Sequence, residues 1–323
     1  MQHQQVFPQS HKQSALTGPA LAAMVAFAVA LPSVLFAETR VPAQPPGARQ
    51  ELTAAQRQLV EEVLAAERPY GCCSETLKVC LDNKPVCPLV ARLHRATRRM
   101  AAQGASKAQI QSALANRKAT MRTDGATATI VADDQFRAGN PKAPVTLAIY
   151  ACPRNETCAK MIPDVYGEVT TGRLKDKATL VYRPFFPADD AEALECGRGL
   201  YAAAYQGQFW PYLVHLCLER AHLTRANIRD WAGSHGLDRC IFDQTCEQAS
   251  TASWLQAARK EALANGVTAA PAVFINGRRI QGTVDLESLV DLAEEEQQAL
   301  TDHQQAQVRD PMQAPNARGE KRP

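Results

Sequence analysis

The sequence predicts an α/β domain with a helical insertion, preceded by a small helical domain that disulfides hold together. An apolar, β-rich run begins at Pro144 and ends in a turn that carries Cys152 and Cys158, after which a helical pattern starts at once. A second β-rich run follows Pro271, far downstream. Nearer the N-terminus, four cysteines fall within sixteen residues. A strand, a cysteine-bearing turn and a helix in that order are typical of a redox site.

The composition supports a globular protein and gives no sign of nucleic acid as a partner. With 323 residues the chain is long enough for one medium domain and a smaller one, and a hydrophobic content of 46% supports a core. The formal net charge of +3 is too small to indicate binding to nucleic acid. The cluster of Arg95, Arg98 and Arg99 predicts a solvated helix face. The histidines show no ligand spacing and no Cys-x-x-Cys-His motif occurs, so we predict neither a metal nor another cofactor.

The N-terminal segment predicts export. Residues 1–37 have the pattern of a signal peptide, because no charge occurs from Gly18 to Ala37, Pro32 breaks the apolar run, and the small Ala37 stands at the cleavage position. An uncleaved membrane anchor is the alternative, since 20 uncharged residues are just enough to span a bilayer. Both interpretations predict a periplasmic location, free or anchored to the membrane. In that compartment most cysteines form disulfides.

A flexible linker and a helical domain are predicted next. Residues 38–50 are rich in Pro and Ala, which is typical of a tether. In the domain predicted for residues 51–122, capping-box patterns at Thr53–Gln56 and Ser106–Gln109 each open a helix. Another helix is predicted from Pro88 to Gln103, with a glycine after it as a stop signal.

The cysteines of this helical domain predict disulfides. They are Cys72, Cys73, Cys80 and Cys87. Two bridges would stabilise a domain too small to be held by its core alone, and three pairings are open. A tetrathiolate zinc site is the alternative, but adjacent cysteines do not match a zinc knuckle. The arginine-rich helix, glycine stop and Ser-capped helix make residues 68–121 similar to the helical domain of CcmH-type proteins of cytochrome c maturation. Their Cys-x-x-Cys is absent here, so the resemblance implies an architecture and no catalytic residue.

The α/β domain is predicted from residue 138 to residue 300. A polar linker of residues 123–137 precedes it, and a disordered tail of residues 301–323 follows it. The predicted strands are Pro144–Tyr150, Thr179–Phe185, Ala272–Ile275 and Arg279–Gly282, the last two joined by an Asn-Gly turn. One predicted helix begins at Cys158. The others are Asp190–Tyr205, Phe209–Glu219, Thr224–His235, Ser250–Gly266 and Asp285–Leu300.

Residues 138–296 resemble the DsbA-like branch of the thioredoxin superfamily. The resemblance is carried by the strand and cysteine turn up to Cys158, by the segment Gly207-Gln-Phe-Trp-Pro-Tyr, and by Pro271 with the Ala-Val-Phe-Ile-Asn-Gly that follows it. It implies a thioredoxin-like fold with a long helical insertion between the second and third strands. It also implies that a cis peptide bond joins Ala270 to Pro271, and that the two shape a substrate groove beside the active-site cysteines.

The resemblance implies two active-site positions for cysteine, and only one of them is a cysteine in this sequence. In the family, the attacking cysteine lies eleven residues after the proline that opens the first strand, and the resolving cysteine five before a helix proline. Counting from Pro144 and from Pro163 gives the same result: Cys158 matches the resolving cysteine, and Asn155 stands where the attacking cysteine is expected. Cys152 lies three residues before that position. A degenerate motif is therefore predicted.

Three functional hypotheses follow for this site. In the first, the protein is an exported thiol–disulfide oxidoreductase that acts on cysteine-containing exported proteins or peptides with a redox partner protein. Cys152 attacks and Cys158 resolves, which requires their α-carbons to lie within about 7 Å. In the second, Cys152 and Cys158 form a static disulfide or remain separate, and the fold is an inactive module that binds a peptide or partner, for example in cytochrome or oxidase assembly. In the third, Cys158 forms mixed disulfides alone.

Four further cysteines lie in the predicted helical insertion. Cys240 and Cys246 are six residues apart and are predicted to form a structural disulfide at a helix end or loop. Cys196 and Cys217 occur in amphipathic patterns, where a buried cysteine behaves as a small hydrophobic residue. We expect a structural role for all four.

Overall fold

A computed structural model of the chain describes residues 51–122, 127–131 and 133–309. The predicted signal peptide, the tether of residues 38–50 and the tail from residue 310 onward lie outside the described residues. Those that are described form a four-helix domain and an α/β domain, which belong to one compact unit. Within them, no helix is both long and apolar enough to cross a bilayer.

The α/β domain is built on a five-stranded sheet. Its strands are β1 (Arg137–Gly139), β2 (Val145–Ala151), β3 (Ala178–Pro184), β4 (Ala272–Ile275) and β5 (Arg278–Arg279). They lie in the order β1-β3-β2-β4-β5, and only the central pair β2 and β3 is parallel. In that register Leu147 of β2 lies opposite Leu180 of β3 and Ile275 of β4. The site described below lies at the end of β2, in the middle of this sheet.

Among the described residues, four α-helices make up the N-terminal domain, and seven more belong to the α/β domain. The N-terminal domain contains α1 (Ala54–Ala66), α2 (Leu77–Asp82), α3 (Pro88–Ala102) and α4 (Lys107–Met121). The α/β domain contains α5 (Glu156–Thr170), α6 (Ala191–Tyr205), α7 (Phe209–Leu218), α8 (Arg225–Ser234), α9 (Arg239–Glu247), α10 (Ala249–Ala264) and α11 (Leu286–Arg309). Five of them, α6 to α10, lie between β3 and β4. This is the thioredoxin-like fold with a helical insertion that the sequence predicts, and α2 and α9 are additional to the predicted helices.

The central strands are apolar because both faces of the sheet are covered. All seven residues of β3 are buried, as are six of the seven in β2. Alternate side chains point to opposite faces, so Leu147 and Ile149 join the larger core, whereas Ala148 and Tyr150 join a smaller one with Phe274. A parallel pair with helices on both faces has this uniform hydrophobic pattern rather than alternation.

Disulfides and capping boxes stabilise the helical domain. Both predicted capping boxes are present, with Thr53 capping α1 and Ser106 capping α4. The cysteines form two bridges, Cys72–Cys87 and Cys73–Cys80, with α-carbons 6.5 and 6.2 Å apart. The two disulfides predicted for this domain are therefore confirmed, and the structure selects one of the three open pairings.

Two predicted boundaries of the α/β domain are wrong. Residues 134–137 were predicted to lie in a linker, but Asp134–Phe136 form a 3-10 helix and β1 begins at Arg137. Phe136 is fully buried, which holds this segment against the domain. The closing helix was predicted to stop at Leu300, but α11 continues to Arg309. Polar composition alone therefore underestimated both ends of the domain.

Salt bridges join the helical domain to α11. Arginines of α3 and α4 face carboxylates of α11 in the pairs Arg92–Glu294 (3.1 Å), Arg95–Asp291 (3.7 Å), Arg99–Asp291 (3.7 Å) and Arg117–Glu295 (2.6 Å). The side chains of Arg117 and Glu295 are only 8% and 13% exposed. The prediction of a solvated arginine cluster is wrong for Arg99, whose side chain is 20% exposed and is turned toward this interface.

Candidate active site

The cysteine turn connects the end of β2 to the start of α5. Cys152 follows the last residue of β2, and its carbonyl oxygen accepts a hydrogen bond of 3.0 Å from the backbone N–H of Asn155. Asn155 is the N-cap of α5, because its side-chain oxygen accepts a hydrogen bond of 3.0 Å from the backbone N–H of Cys158. Asn is among the residues most favoured at this position, since its oxygen satisfies an otherwise unpaired N–H group. The turn therefore places Cys158 in the first turn of the helix and Cys152 before it.

Asn155 also contacts the loop that precedes β4. The peptide bond between Ala270 and Pro271 is cis, as the resemblance implies. The side-chain nitrogen of Asn155 donates a hydrogen bond of 3.3 Å to the carbonyl oxygen of Ala270. The residue at the expected position of the attacking cysteine thus lies beside the cis-proline loop, but its side chain is an amide that bonds to both neighbouring segments.

Cys152 is the cysteine that faces the cavity of this site. The cavity has a volume of about 480 Å³ and is also lined by Asn155 and Ala270. Although Cys152 is only 3% exposed, it is the only one of the two turn cysteines in the cavity wall. Burial raises the pKa of its thiol, and the backbone N–H groups of Arg154 and Asn155 partly oppose this by favouring the thiolate.

Cys158 is completely buried and does not line the cavity. Burial raises the pKa of its thiol to about 12, although the backbone N–H of Cys152 interacts with the sulfur and lowers the pKa. This interaction brings the two residues side by side. Both are free thiols in the structure.

Two cysteines of the insertion are buried in the same region of the core. Cys196 of α6 and Cys217 of α7 are free thiols whose pKa values burial raises. Burial raises the pKa of the Tyr182 phenol on β3 well above its usual value, and these two cysteines and the two turn cysteines add to this effect. The Tyr182 hydroxyl donates a hydrogen bond of 2.9 Å to the carbonyl oxygen of Ala151. As predicted from their amphipathic patterns, Cys196 and Cys217 pack in the core.

The predicted disulfide between Cys240 and Cys246 is wrong. Both residues lie on α9, where six residues correspond to a rise of about 9 Å along the axis. A disulfide needs α-carbons within about 7 Å and side chains that face each other. Cys240 is instead an exposed free thiol, and burial raises the pKa of Cys246 to about 12. The six-residue spacing of these cysteines would allow a bridge in a loop but not within one helix.

Charged residues that sequence reasoning missed also line the cavity. Arg154 donates a hydrogen bond of 3.0 Å to Asp190, the N-cap of α6, and a second one to the carbonyl oxygen of Leu223. Arg259 of α10 reaches the same cavity from the other side. Arg154 lies between the two turn cysteines, and this position is the sequence signal that could have indicated it. Nothing in the sequence indicates Arg259, which lies more than a hundred residues from the turn. No group of histidines, cysteines and carboxylates among the described residues is arranged to hold a metal.

Comparison with known proteins gives a family match for the α/β domain. The family described as thioredoxin matches residues 131–295. Among curated proteins, the Na⁺/H⁺ antiporter NhaA 1 of Mycolicibacterium gilvum is 28% identical over 156 residues, which are 47% of this chain and 25% of the antiporter. The antiporter NhaA of Herminiimonas arsenicoxydans is 30% identical over 97 residues, 30% of this chain and 16% of the antiporter. The chain therefore spans a quarter or less of these relatives.

Solved structures with a similar fold cover about half of the chain. Oxidised BdbD from Bacillus subtilis has a TM-score of 0.48 at 13% identity, covering 55% of this chain and all of that one (100%). Alpha-DsbA1 from Wolbachia pipientis has a TM-score of 0.46 at 16% identity, with coverages of 52% and 94%. A thioredoxin-like oxidoreductase from Silicibacter pomeroyi has a TM-score of 0.45 at 19% identity, with coverages of 51% and 94%. The family match begins at residue 131, so the similarity of residues 68–121 to CcmH-type proteins stays a prediction.

Proposed function

Because the chain belongs to the thioredoxin family, we propose that it is an exported thiol–disulfide oxidoreductase in which Cys152 attacks and Cys158 resolves. The observation that supports this best is the position of Cys152 in the wall of the cavity beside the cis-Pro271 loop. Cys158 is fully buried, and the backbone N–H of Cys152 interacts with its sulfur. One cysteine of the pair thus lines the cavity and the other is enclosed, as the reaction needs.

The proposed reaction transfers two electrons from the cysteine pair to a substrate disulfide. The Cys152 thiolate attacks one substrate sulfur, so that a mixed disulfide forms and one substrate thiolate leaves. After losing its proton, Cys158 attacks the sulfur of Cys152, forms the Cys152–Cys158 disulfide and releases the second substrate thiolate. Both leaving thiolates take up protons. A dithiol redox partner then reduces the pair and is itself oxidised to a disulfide.

The environment of the two thiols supports this reductive direction. A thioredoxin-fold pair is a strong oxidant when its reduced form is stabilised, as in the low-pKa thiolate of DsbA. Here burial raises the pKa of both thiols, and Asn155 rather than a sulfur occupies the N-cap of α5. We therefore expect a potential at or below the roughly −270 mV of thioredoxin, far from the roughly −120 mV of DsbA.

A redox titration of the pair tests the proposal. The protein is equilibrated across a series of oxidised and reduced dithiothreitol, alkylated, and examined by mass spectrometry for modification of Cys152 and Cys158. We expect a reversible two-electron transition of this pair, lost in both Cys152→Ser and Cys158→Ser. Two thiols that stay unmodified by the series, or a bridge that never opens, would refute the oxidoreductase.

A second candidate is a module that binds a peptide or partner without redox chemistry. Asn155 favours it, because its amide bonds to Cys158 and Ala270 and gives the expected reactive position a structural role. This candidate predicts that the double variant Cys152→Ser/Cys158→Ser binds the partner as tightly as the native protein. The oxidoreductase instead predicts that covalent capture of the substrate disappears.

Export is part of the proposal. It is supported by the signal-peptide pattern of residues 1–37 and by the disulfides of the helical domain, which form in oxidising compartments. N-terminal sequencing of the protein purified from its host tests cleavage. A chain that begins at Glu38 supports a signal peptide, and an intact N-terminus in the membrane fraction supports the anchor. An intact chain in the cytosol would contradict export.

A further inference from the structure

The charge balance of the active-site cavity is uneven. Two arginines and one carboxylate line it, namely Arg154, Arg259 and Asp190. Arg154 and Asp190 form an ion pair at 3.0 Å, so their charges compensate each other. Within the described part of the chain, Arg259 forms no ion pair with a carboxylate. The cavity next to Cys152 therefore carries one uncompensated positive charge.

Arg259 is held in place although it lacks a charged partner. One of its terminal nitrogens donates a hydrogen bond of 2.7 Å to the carbonyl oxygen of Phe186. Its guanidinium carbon lies 5.6 Å from the centre of the Phe185 ring, which also lines the cavity. A guanidinium over an aromatic face is attracted by the ring and is restricted in its motion. Since an arginine has five N–H donors, several remain for a ligand.

We infer that Arg259 selects substrates with an acidic side chain beside the disulfide-bonded cysteine. The inference rests on the proposed function, because it assigns the substrate class of that same cavity. A preorganised guanidinium matches the geometry of a carboxylate and binds it through charge-assisted hydrogen bonds. The occupant is a peptide, because the proposed substrate is a protein disulfide, the cavity volume is in the range of a ligand site, and the exposed residues Thr268 and Ala269 form part of its wall. Arg259 acts as a specificity-determining residue, with no part in the bond-making steps.

The test compares matched peptides in a trapping variant of the full chain. Cys158→Ser lets the mixed disulfide at Cys152 accumulate, and Cys240→Ser removes the exposed thiol that would compete. Each peptide has one cysteine activated as a 2-thiopyridyl disulfide and differs only in the adjacent residue, which is Glu, Gln or Lys. Release of thiopyridone gives the rate, and mass spectrometry confirms Cys152 as the modified residue.

We expect the Glu peptide to react roughly tenfold faster than the Gln peptide at low ionic strength, and the Lys peptide to react slowest. Added salt should reduce this preference, because the contact is partly exposed to solvent. Arg259→Gln should slow only the Glu peptide, and Arg259→Glu should make the Lys peptide the fastest. Lys260→Gln is the matched control: it removes the same charge from an exposed neighbour outside the cavity wall and should change no preference.

Failure of this inference is distinguishable from failure of the proposed function. Equal rates for the three peptides, or equal effects of Arg259→Gln and Lys260→Gln, would overturn the role of Arg259 while the redox chemistry stands. If no peptide modifies Cys152, the oxidoreductase fails. In that case, equilibrium binding of the same peptides, with serine in place of cysteine, tests whether Arg259 selects the acidic side chain. Tighter binding of the Glu peptide than of the Gln peptide supports the inference, and equal binding overturns it.

Discussion

The side-chain nitrogen of Asn155 lies 3.3 Å from the carbonyl oxygen of Ala270, so one amide ties the start of α5 to the cis-proline loop. The oxygen of the same amide caps the helix through the N–H of Cys158. A cysteine at this position offers neither a comparable acceptor nor an N–H donor. Asn155 is therefore a structural link at the position where the family resemblance implies the attacking cysteine, and the function that we propose depends on the cysteine three residues earlier.

The dual role of Asn155 predicts graded losses of stability. Asn155→Ala removes the cap and the bond to Ala270 and should lower the free energy of unfolding by about 2 kcal/mol. Asn155→Ser keeps a capping oxygen and loses only the bond to Ala270, so we expect a loss of about 1 kcal/mol. Urea unfolding measures both. An unchanged stability of Asn155→Ser would show that the bond to Ala270 contributes nothing, and equal losses in the two variants would show the same for the cap.

A cysteine at the N-cap of α5 should create a more reactive thiol than either native cysteine of the turn. In Asn155→Cys the new sulfur would be exposed beside the helix N-terminus, where a thiol pKa falls to about 3.5–7.5. We expect its alkylation at neutral pH to be at least about tenfold faster than that of Cys152, whose pKa burial raises. The measurement is the pH dependence of alkylation in a Cys240→Ser background, with Asn155→Ser as the control without sulfur. A new thiol that titrates no lower than Cys152 would contradict this.

Buried thiols should make the protein less stable in alkaline solution. Burial raises the pKa of Cys158 and of Cys246 to about 12, whereas an unfolded chain has thiols of pKa about 8.5. Below about pH 8.5 both states are protonated and the full stability is present. Above it the unfolded thiol loses its proton first, so the free energy of unfolding falls by roughly 1.4 kcal/mol per pH unit for each such thiol until the folded thiol also ionises.

Unfolding by urea at several pH values between 8 and 10 measures this slope, under anaerobic conditions without reductant so that the two disulfides stay intact. Cys158→Ala removes one titrating group and should give a shallower slope, whatever its stability at neutral pH. Parallel slopes for the variant and the native protein would contradict the burial of Cys158.

The ion pair between Arg117 and Glu295 should show strong coupling. Both side chains are nearly buried and lie 2.6 Å apart. Arg117→Met leaves the buried Glu295 with only the hydroxyl of Tyr70, so we expect a loss of about 3 kcal/mol. Glu295→Met should cost less, because Arg117 keeps Asp291 at 3.9 Å. The double variant should recover part of the loss of Arg117→Met, because the carboxylate that this variant leaves unpaired is also removed. Additive losses in the double-mutant cycle would indicate that the two side chains act independently.

The fold was predictable because its signals are local. The strands around Leu147 and Leu180 are continuous apolar runs, and Asn276-Gly277 marks the hairpin turn. The capping boxes gave the starts of α1 and α4 correctly. Each of these signals comes from residues that are neighbours in the chain. Burial in the folded protein does not change the local structure that these residues favour. The helix predicted to begin at Cys158 starts two residues earlier, at Glu156, with Asn155 as its N-cap.

The remaining features depend on contacts between distant segments. The buried state of Phe136 could not be seen in a polar linker, since it depends on packing against Phe209 of α7. The six-residue spacing of Cys240 and Cys246 is compatible with a bridge at a helix end or loop, but both lie within α9, which separates them. Arg259 enters the active-site cavity from α10, and only the packing of the insertion brings it there.

The six unpaired thiols constrain the order of events while the chain folds. Of ten cysteines, four are bridged, and five of the remaining six are buried. In an exported chain, all of these thiols are exposed to the oxidising compartment before the core packs around the buried ones. Collapse of α6 and α7 onto the sheet must therefore be faster than oxidation of Cys196 and Cys217. The native pairing of the cysteines then depends on relative rates, because these sulfurs have to be buried before they are oxidised.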